Sequence, residues 1–313
     1  DPQTGVVAWE AAFSGAMSSG TLIHDGALLF GTTDGAIIAL DLDTHEERWR
    51  YETDGVIVAE PVVAEGVVYF ANSRDQVFAL DFRDGAWRWQ YERDFQKDFT
   101  IAGRAGLAFV PISDPASDEA GLIYTGFDDG RVVAIGASSG EALWMTNLAP
   151  RTIETSGVFA DVDSTPVIDT ARGELIVSGV SAGVHALSLT DGTRQWEQAF
   201  KGGGTLAAAH EDGVFVIASP LEGLAAIERG GGIRWRVDLD PGTYSTPLVV
   251  GDTVFLASSE AGLAAYDAHT GKHLVSVDTG SGVSATPVYD PTAERLYAIS
   301  NRGVLYGFSV SAR

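Results

Sequence analysis

Asp161 and Asp163 are separated by one residue, and in an extended segment that spacing puts both carboxylates on one face. Paired carboxylates can clamp a guanidinium or an ammonium through charge-assisted hydrogen bonds, so the pair could dock an Arg or Lys of a partner. The same residues could instead cap a turn ahead of the strand 165–168. A second grouping lies upstream in KDFTIAGRAG, residues 97–106. Phe99 and Ile101 alternate to one side there, followed by Gly103 and Arg104. Apolar side chains beside an Arg are residue types that anchor protein interfaces. The alternative is an inner strand with Phe99 and Ile101 facing the core.

Other chemistry is poorly supported. The histidines, His24, His45, His185, His210, His269 and His273, are scattered over several repeats and form no metal-binding set. His185 lies within a strand pattern and is expected in the core or a channel, whereas His269 and His273 flank a turn and are expected in solvent. The acids of Asp41-Leu42-Asp43, Asp128-Asp129 and Asp238-Leu239-Asp240 do not fit a calcium loop. There is no G-x-S-x-G elbow and no H-E-x-x-H. The glycine runs at 201–204 and 230–232 precede no helical pattern and so are not phosphate loops. The chain has no Cys, which excludes disulfides, zinc thiolate sites and a Cys nucleophile. No catalytic, cofactor-binding or metal-binding residue is nominated, and the expectation is a protein that is not an enzyme.

The elements that would position the two groupings are repeats. DGAIIALDLDTHEERW (34–49) has echoes in DQVFALDFRDGAWRW (75–89), DGRVVAIGASSGEALW (129–144) and AGVHALSLTDGTRQW (182–196). EGLAAIERGGGIRW (222–235) and AGLAAYDAHTGKHLV (261–275) follow, the last with Val275 in place of Trp. RGVLYGFS (302–309) carries only the first half of the motif and DPQTGVVAW (1–9) only the second. Successive Trp positions are 40, 40, 55, 52, 39 and 40 residues apart, a propeller period.

Each unit reads as four strands with turn signals between them, apolar on both faces where it would lie between neighbours. The expectation is an all-β, seven-bladed β-propeller of four-stranded antiparallel blades, a single domain over 1–313. It is closed by the N-terminal strand pairing with the C-terminal blade. Gly85, Gly140, Gly192 and Gly271 supply the positive φ of the last hairpin, and His45 in that place suggests a different turn. The Trp side chains are expected to wedge between blades. The connections after Trp89 and Trp144 are oversized, and 113–120 forms a further polar loop; long connections are where binding tends to sit.

The net charge of −23 makes nucleic acid a poor partner. No apolar run is long enough to span a membrane. A leader or lipid anchor removed upstream of Asp1 would leave no trace in the sequence.

The repeat G-x-h-x-A-L-D-x-x-T-G-x-x-x-W resembles the quinoprotein-type (PQQ-like) propeller repeat along essentially the whole chain. Within that superfamily, Asp161-Val162-Asp163-Ser164-Thr165-Pro166-Val167 resembles the D-V-D-[TS]-T-P-V segment of the BamB family. The resemblance implies a periplasmic lipoprotein scaffold, monomeric and without a cofactor, anchored at the outer membrane. It would hold the POTRA domains of the barrel insertase BamA. It carries the acidic pair onto Asp161 and Asp163. The family's L-x-L-R-G loop falls on Phe99, Ile101 and Gly103, with its Arg on Ala102 and Arg104 across the Gly. That family typically has eight blades, which keeps eight as the alternative to seven. A ligand-binding or sensor propeller from a larger envelope protein is the other functional reading. A quinone-dependent dehydrogenase is less well supported, because the resemblance implies a vicinal disulfide and calcium for those enzymes.

Overall fold

The alternating pattern of each repeat dictates its strands. In Ala36–Asp41, neighbouring side chains point to opposite faces, and Ile37 and Ile38 are both fully buried. A computed structural model describes Thr4 and residues 6–93, 105–148, 162, 164–202, 205–209 and 213–310. Among these residues the chain forms seven consecutive antiparallel meanders, at 17–52, 62–91, 108–147, 167–198, 205–237, 248–277 and 288–309. Strands pair in sequence order within each, the construction of propeller blades. The fold is a seven-bladed β-propeller.

By its packing the chain divides into two compact units, 3–168 with 188–193, and 169–187 with 194–313. In the first unit the core lies between successive sheets. Leu29, Ile37 and Trp49 of the first sheet pack with Val68, Phe70 and Leu80 of the second. The other face of the second sheet, with Tyr69, Val77 and Trp89, packs with Ile123, Val133 and Ile135 of the third. The second unit repeats the scheme, with Val216, Leu224 and Trp235 against Val254, Leu256 and Tyr266. This two-sided burial is why the strands are continuously apolar. Asp169 and Arg229 add a polar bolt between the fourth and fifth sheets, through contacts of 2.6 and 3.1 Å.

The Trp of the repeat wedges between blades as expected. Trp49 Nε1 donates to the carbonyl of Phe82 at 2.9 Å, and Trp235 Nε1 to that of Ala268 at 2.8 Å, in each case on the last hairpin of the following sheet. Trp196 departs from the rule, donating to the buried Glu174 carboxylate at 3.2 Å. His45 does not change its turn. It takes a φ of 61°, and its N–H donates to Asp41 as Gly85 does to Asp81, both at 2.9 Å. A bulge follows Ala39 as one follows Ala79, so the hairpin geometry is imposed by the bulge rather than by the Gly.

Among the described residues the last sheet has three strands, and residues 6–13 form no strand. The segment is occupied otherwise: Trp9 stacks on His45 with ring centroids 4.5 Å apart, and Phe13 meets Phe30 edge-on at 5.0 Å. Those aromatic contacts hold the segment to the first sheet. The last sheet leaves Val288, Ile299 and Leu305 exposed on one side, while Leu296 and Ala298 are buried on the other.

Candidate partner-docking site

Phe99, Ile101, Gly103, Arg104, Asp161 and Asp163 lie outside the described residues. What the structure gives is the footing on either side of them. Arg93 closes the strand Trp87–Tyr91 by two residues and is the last described residue before 94–104. Its side chain is 7% exposed. Nη1 donates to Asp129 Oδ2 at 2.9 Å, and Nη2 lies 3.7 Å from Asp75 Oδ2. The guanidinium sits 4.1 Å from the centre of the Phe127 ring, a cation–π contact. Asp129 also receives Arg131 Nη1 at 2.5 Å. Burying an Arg is costly unless charge and hydrogen bonds compensate, and here two carboxylates and an aromatic face do so.

Asp75 and Asp129 occupy equivalent tight turns, between the second and third strands of neighbouring sheets. Asp75 takes a φ of 60°, which a short polar side chain tolerates better than most. The DDG turn at 128–130 brings Gly130 to a φ of 80°. These two turns thus supply the acids for Arg93. Nothing in the sequence separates Arg93 from the solvated arginines of the outer strands, such as Arg48 and Arg88.

On the other side, Val162 is 1% exposed, and its N–H donates to the carbonyl of Phe127 at 3.1 Å. A Cβ on Gly126 would collide with the Val162 side chain, so the glycine makes room for it. Two other repeats have the same plug. Ile57 bonds the carbonyl of Thr32 at 3.4 Å and Val283 that of Ser258 at 2.8 Å, and both are fully buried. Each plug stands four residues before a proline: Pro61, Pro166 and Pro287. The acids of the D-V-D string therefore flank an ordinary inter-blade plug. Val58, one residue after the Ile57 plug, is 40% exposed. Thr165 closes the footing by packing where a Cβ on Gly106 would stand.

The loop 113–120 is a built turn. Asp114 accepts from the amide of Ala116 through its side chain at 2.9 Å, and Glu119 Oε2 accepts from the Ser138 amide at 2.6 Å. His185 is buried with Nε2 2.8 Å from the carbonyl of Ala182, and burial lowers its pKa. His269 Nε2 lies 3.1 Å from Asp252 Oδ1 at the surface. Among the described residues no group of His, Asp and Glu could hold a metal ion, and no helix is long and apolar enough to cross a membrane.

Comparison with known proteins agrees with this architecture. A family model described as outer membrane protein assembly factor BamB matches residues 1–184 and 180–312. The BamB of Burkholderia pseudomallei is 24% identical over 304 residues, 96% of this chain and 65% of that protein. The BamB of Legionella pneumophila is 24% identical over 194 residues, 61% of this chain and 49% of that protein. The chain thus spans about half of one of these curated relatives and just under two thirds of the other. Among solved structures, BamB from Moraxella catarrhalis superposes with a TM-score of 0.79 at 21% identity, covering 97% of this chain and 88% of that one. A quinohemoprotein alcohol dehydrogenase from Comamonas testosteroni reaches 0.66 at 16% identity, covering 89% and 62%. Likenesses at these identities speak for the fold alone. The family match extends over both compact units and over the segments flanking the buried Val162, and the chain belongs to the BamB family of outer membrane protein assembly factors.

Proposed function

We propose that this chain is a non-enzymatic periplasmic scaffold that docks a protein of the outer-membrane β-barrel assembly machinery. The partner is the POTRA region of the barrel insertase. The docking elements are the segment carrying Phe99, Ile101, Gly103 and Arg104 and the segment carrying Asp161 and Asp163. The observation that carries the reading is the common footing: Arg93 and Val162, one from each segment's base, both rest on the turn from Phe127 to Asp129. Residues far apart in sequence, each adjoining one of these segments, therefore meet at one turn. Apolar anchors beside a carboxylate clamp would suit a partner surface bearing apolar residues and an Arg or Lys.

The test is pull-down of a purified POTRA-domain fragment by the full chain. Asp161→Arg should abolish capture while the circular dichroism and melting temperature stay unchanged. Capture undiminished by Asp161→Arg would remove the acidic pair from the interface. The dehydrogenase neighbours share the propeller alone, and this chain has no Cys for a vicinal disulfide. Addition of the quinone and calcium is expected to shift neither the absorption spectrum nor the melting temperature.

A further inference from the structure

We propose that residues 6–13 form a strap latched to the first sheet by the Trp9–His45 stack, and that this latch opens while the inserted Trp joints stay shut. The other indoles of the repeat are held by insertion. Trp49 lies where a Cβ on Gly85 would stand, Trp89 where one on Gly140 would, and Trp235 where one on Gly271 would. At Gly85 that Cβ would come within 2.8 Å of the indole, closer than non-bonded carbons approach. The missing side chain is therefore what admits each ring, and Trp49, Trp89 and Trp235 are 7%, 7% and 8% exposed.

His45 holds the place of those glycines in the first sheet. Its φ of 61° and its N–H bond to the Asp41 carbonyl reproduce the turn of Gly85, but its Cβ blocks the place an indole would enter. Trp9 accordingly stacks on the imidazole instead of entering the hairpin. The rings are 23° from parallel with centroids 4.5 Å apart, and Trp9 stays 39% exposed. The strap is also tied unevenly along its length. At its C-terminal end Phe13 and Leu28 pack against the buried Phe30, Ala36 and Ile38. Arg50 Nη1 donates to Ser14 Oγ at 2.7 Å, and the Thr33 amide donates to the Ala16 carbonyl at 2.9 Å. At the other end Val6 and Val7 are 64% and 74% exposed. One stacked ring pair holds less apolar area out of water than an inserted indole does. Opening therefore starts at Trp9 and pivots on Phe13 to Ala16, because segments with little burial open ahead of the fold.

The test compares the full-length wild type with His45→Gly and His45→Asn. Gly removes the Cβ and lets the indole enter. Asn also tolerates a positive φ but keeps the Cβ, and it removes the ring on which Trp9 stacks. Cleavage within 6–13 by a broad-specificity protease, followed by mass spectrometry, reads the population of the open strap. His45→Gly should slow that cleavage by about tenfold, since more of the indole is buried. His45→Asn should speed it by about threefold. Acrylamide quenching gives a second reading. The emission difference between each protein and its Trp9→Phe counterpart isolates Trp9, which should be quenched readily in the wild type and poorly in His45→Gly. Cleavage and quenching that are unchanged or faster in His45→Gly would overturn the blocked joint. Cleavage no faster in His45→Asn would overturn the latch. A wild-type strap that resists the protease as long as the sheets do would overturn the opening itself.

Discussion

Trp89 donates from Nε1 to the carbonyl of Ala137 at 2.9 Å, and its ring occupies the space that a Cβ on Gly140 would enter at 2.8 Å. The Trp and the Gly are far apart in sequence but make one joint: the Gly's positive φ of 74° shapes the hairpin, and its missing side chain admits the indole of the previous blade. Gly140→Ala should therefore destabilise through strain and steric overlap together, by about 2–4 kcal/mol. Trp89→Phe keeps most of the packing but removes the indole donor from the Ala137 carbonyl, which keeps the Tyr69 hydroxyl at 3.2 Å, and should cost about 1–2 kcal/mol. Denaturant midpoints read both, and a Gly140→Ala variant as stable as wild type would refute the joint.

Arg229 and Asp169 should behave as a pair whose breaking costs more than its presence contributes. The Asp169 side chain is only 3% exposed. Arg229→Met strands that carboxylate and should cost about 3 kcal/mol in urea unfolding. Adding Asp169→Asn to it should recover part of the loss, as a double-mutant cycle would show.

His185 sets an acid-side limit on stability. Burial holds its pKa below the ordinary 6.5, with Arg194 acting in the same direction and Glu197 and the Ala182 carbonyl opposing. The unfolded chain therefore binds the proton first as pH falls. Stability from this group is complete above pH 6.5 and is lost as the pH drops from there through the folded value. His185→Val, which copies Val133 at the equivalent place opposite the outer strand, should flatten the melting temperature against pH in that window.

Tyr69 and Tyr124 set the alkaline limit. Burial pushes both up to about 12, and their hydroxyls donate to the carbonyls of Ala137 and Leu189 at 3.2 and 3.0 Å. Unfolded tyrosines ionise near 10, so stability is intact below that and is lost as pH rises toward 12. In a spectrophotometric titration the absorbance change missing near pH 10 should be reduced by Tyr69→Phe and by Tyr124→Phe.

The repeat spacing, the Ala-Leu strands and the Gly-bearing hairpins were all legible in the chain, because strand alternation and positive φ are properties of neighbouring residues. The Trp wedges were legible as well, since a large apolar ring repeating at blade period has few other places to go. His45 was misleading: a non-Gly residue suggested a new turn, but the bulge after Ala39 imposes the same one. The half motif at 1–9 gave no sign that Trp9 and Phe13 find aromatic partners on the first sheet.

For the candidate site, the order of residues along the chain supplied the groups proposed to bind: Phe99 and Ile101 with Arg104, and Asp161 with Asp163. That Val162 between the two acids is a buried plug, and that Arg93 is buried at all, only the tertiary structure decided. Burial depends on which turns of adjacent sheets meet, and the carboxylates of Asp75 and Asp129 come to one guanidinium only after the second and third sheets have packed. Residue types are local, but the desolvation that gives a charge its partner is a property of the assembled fold.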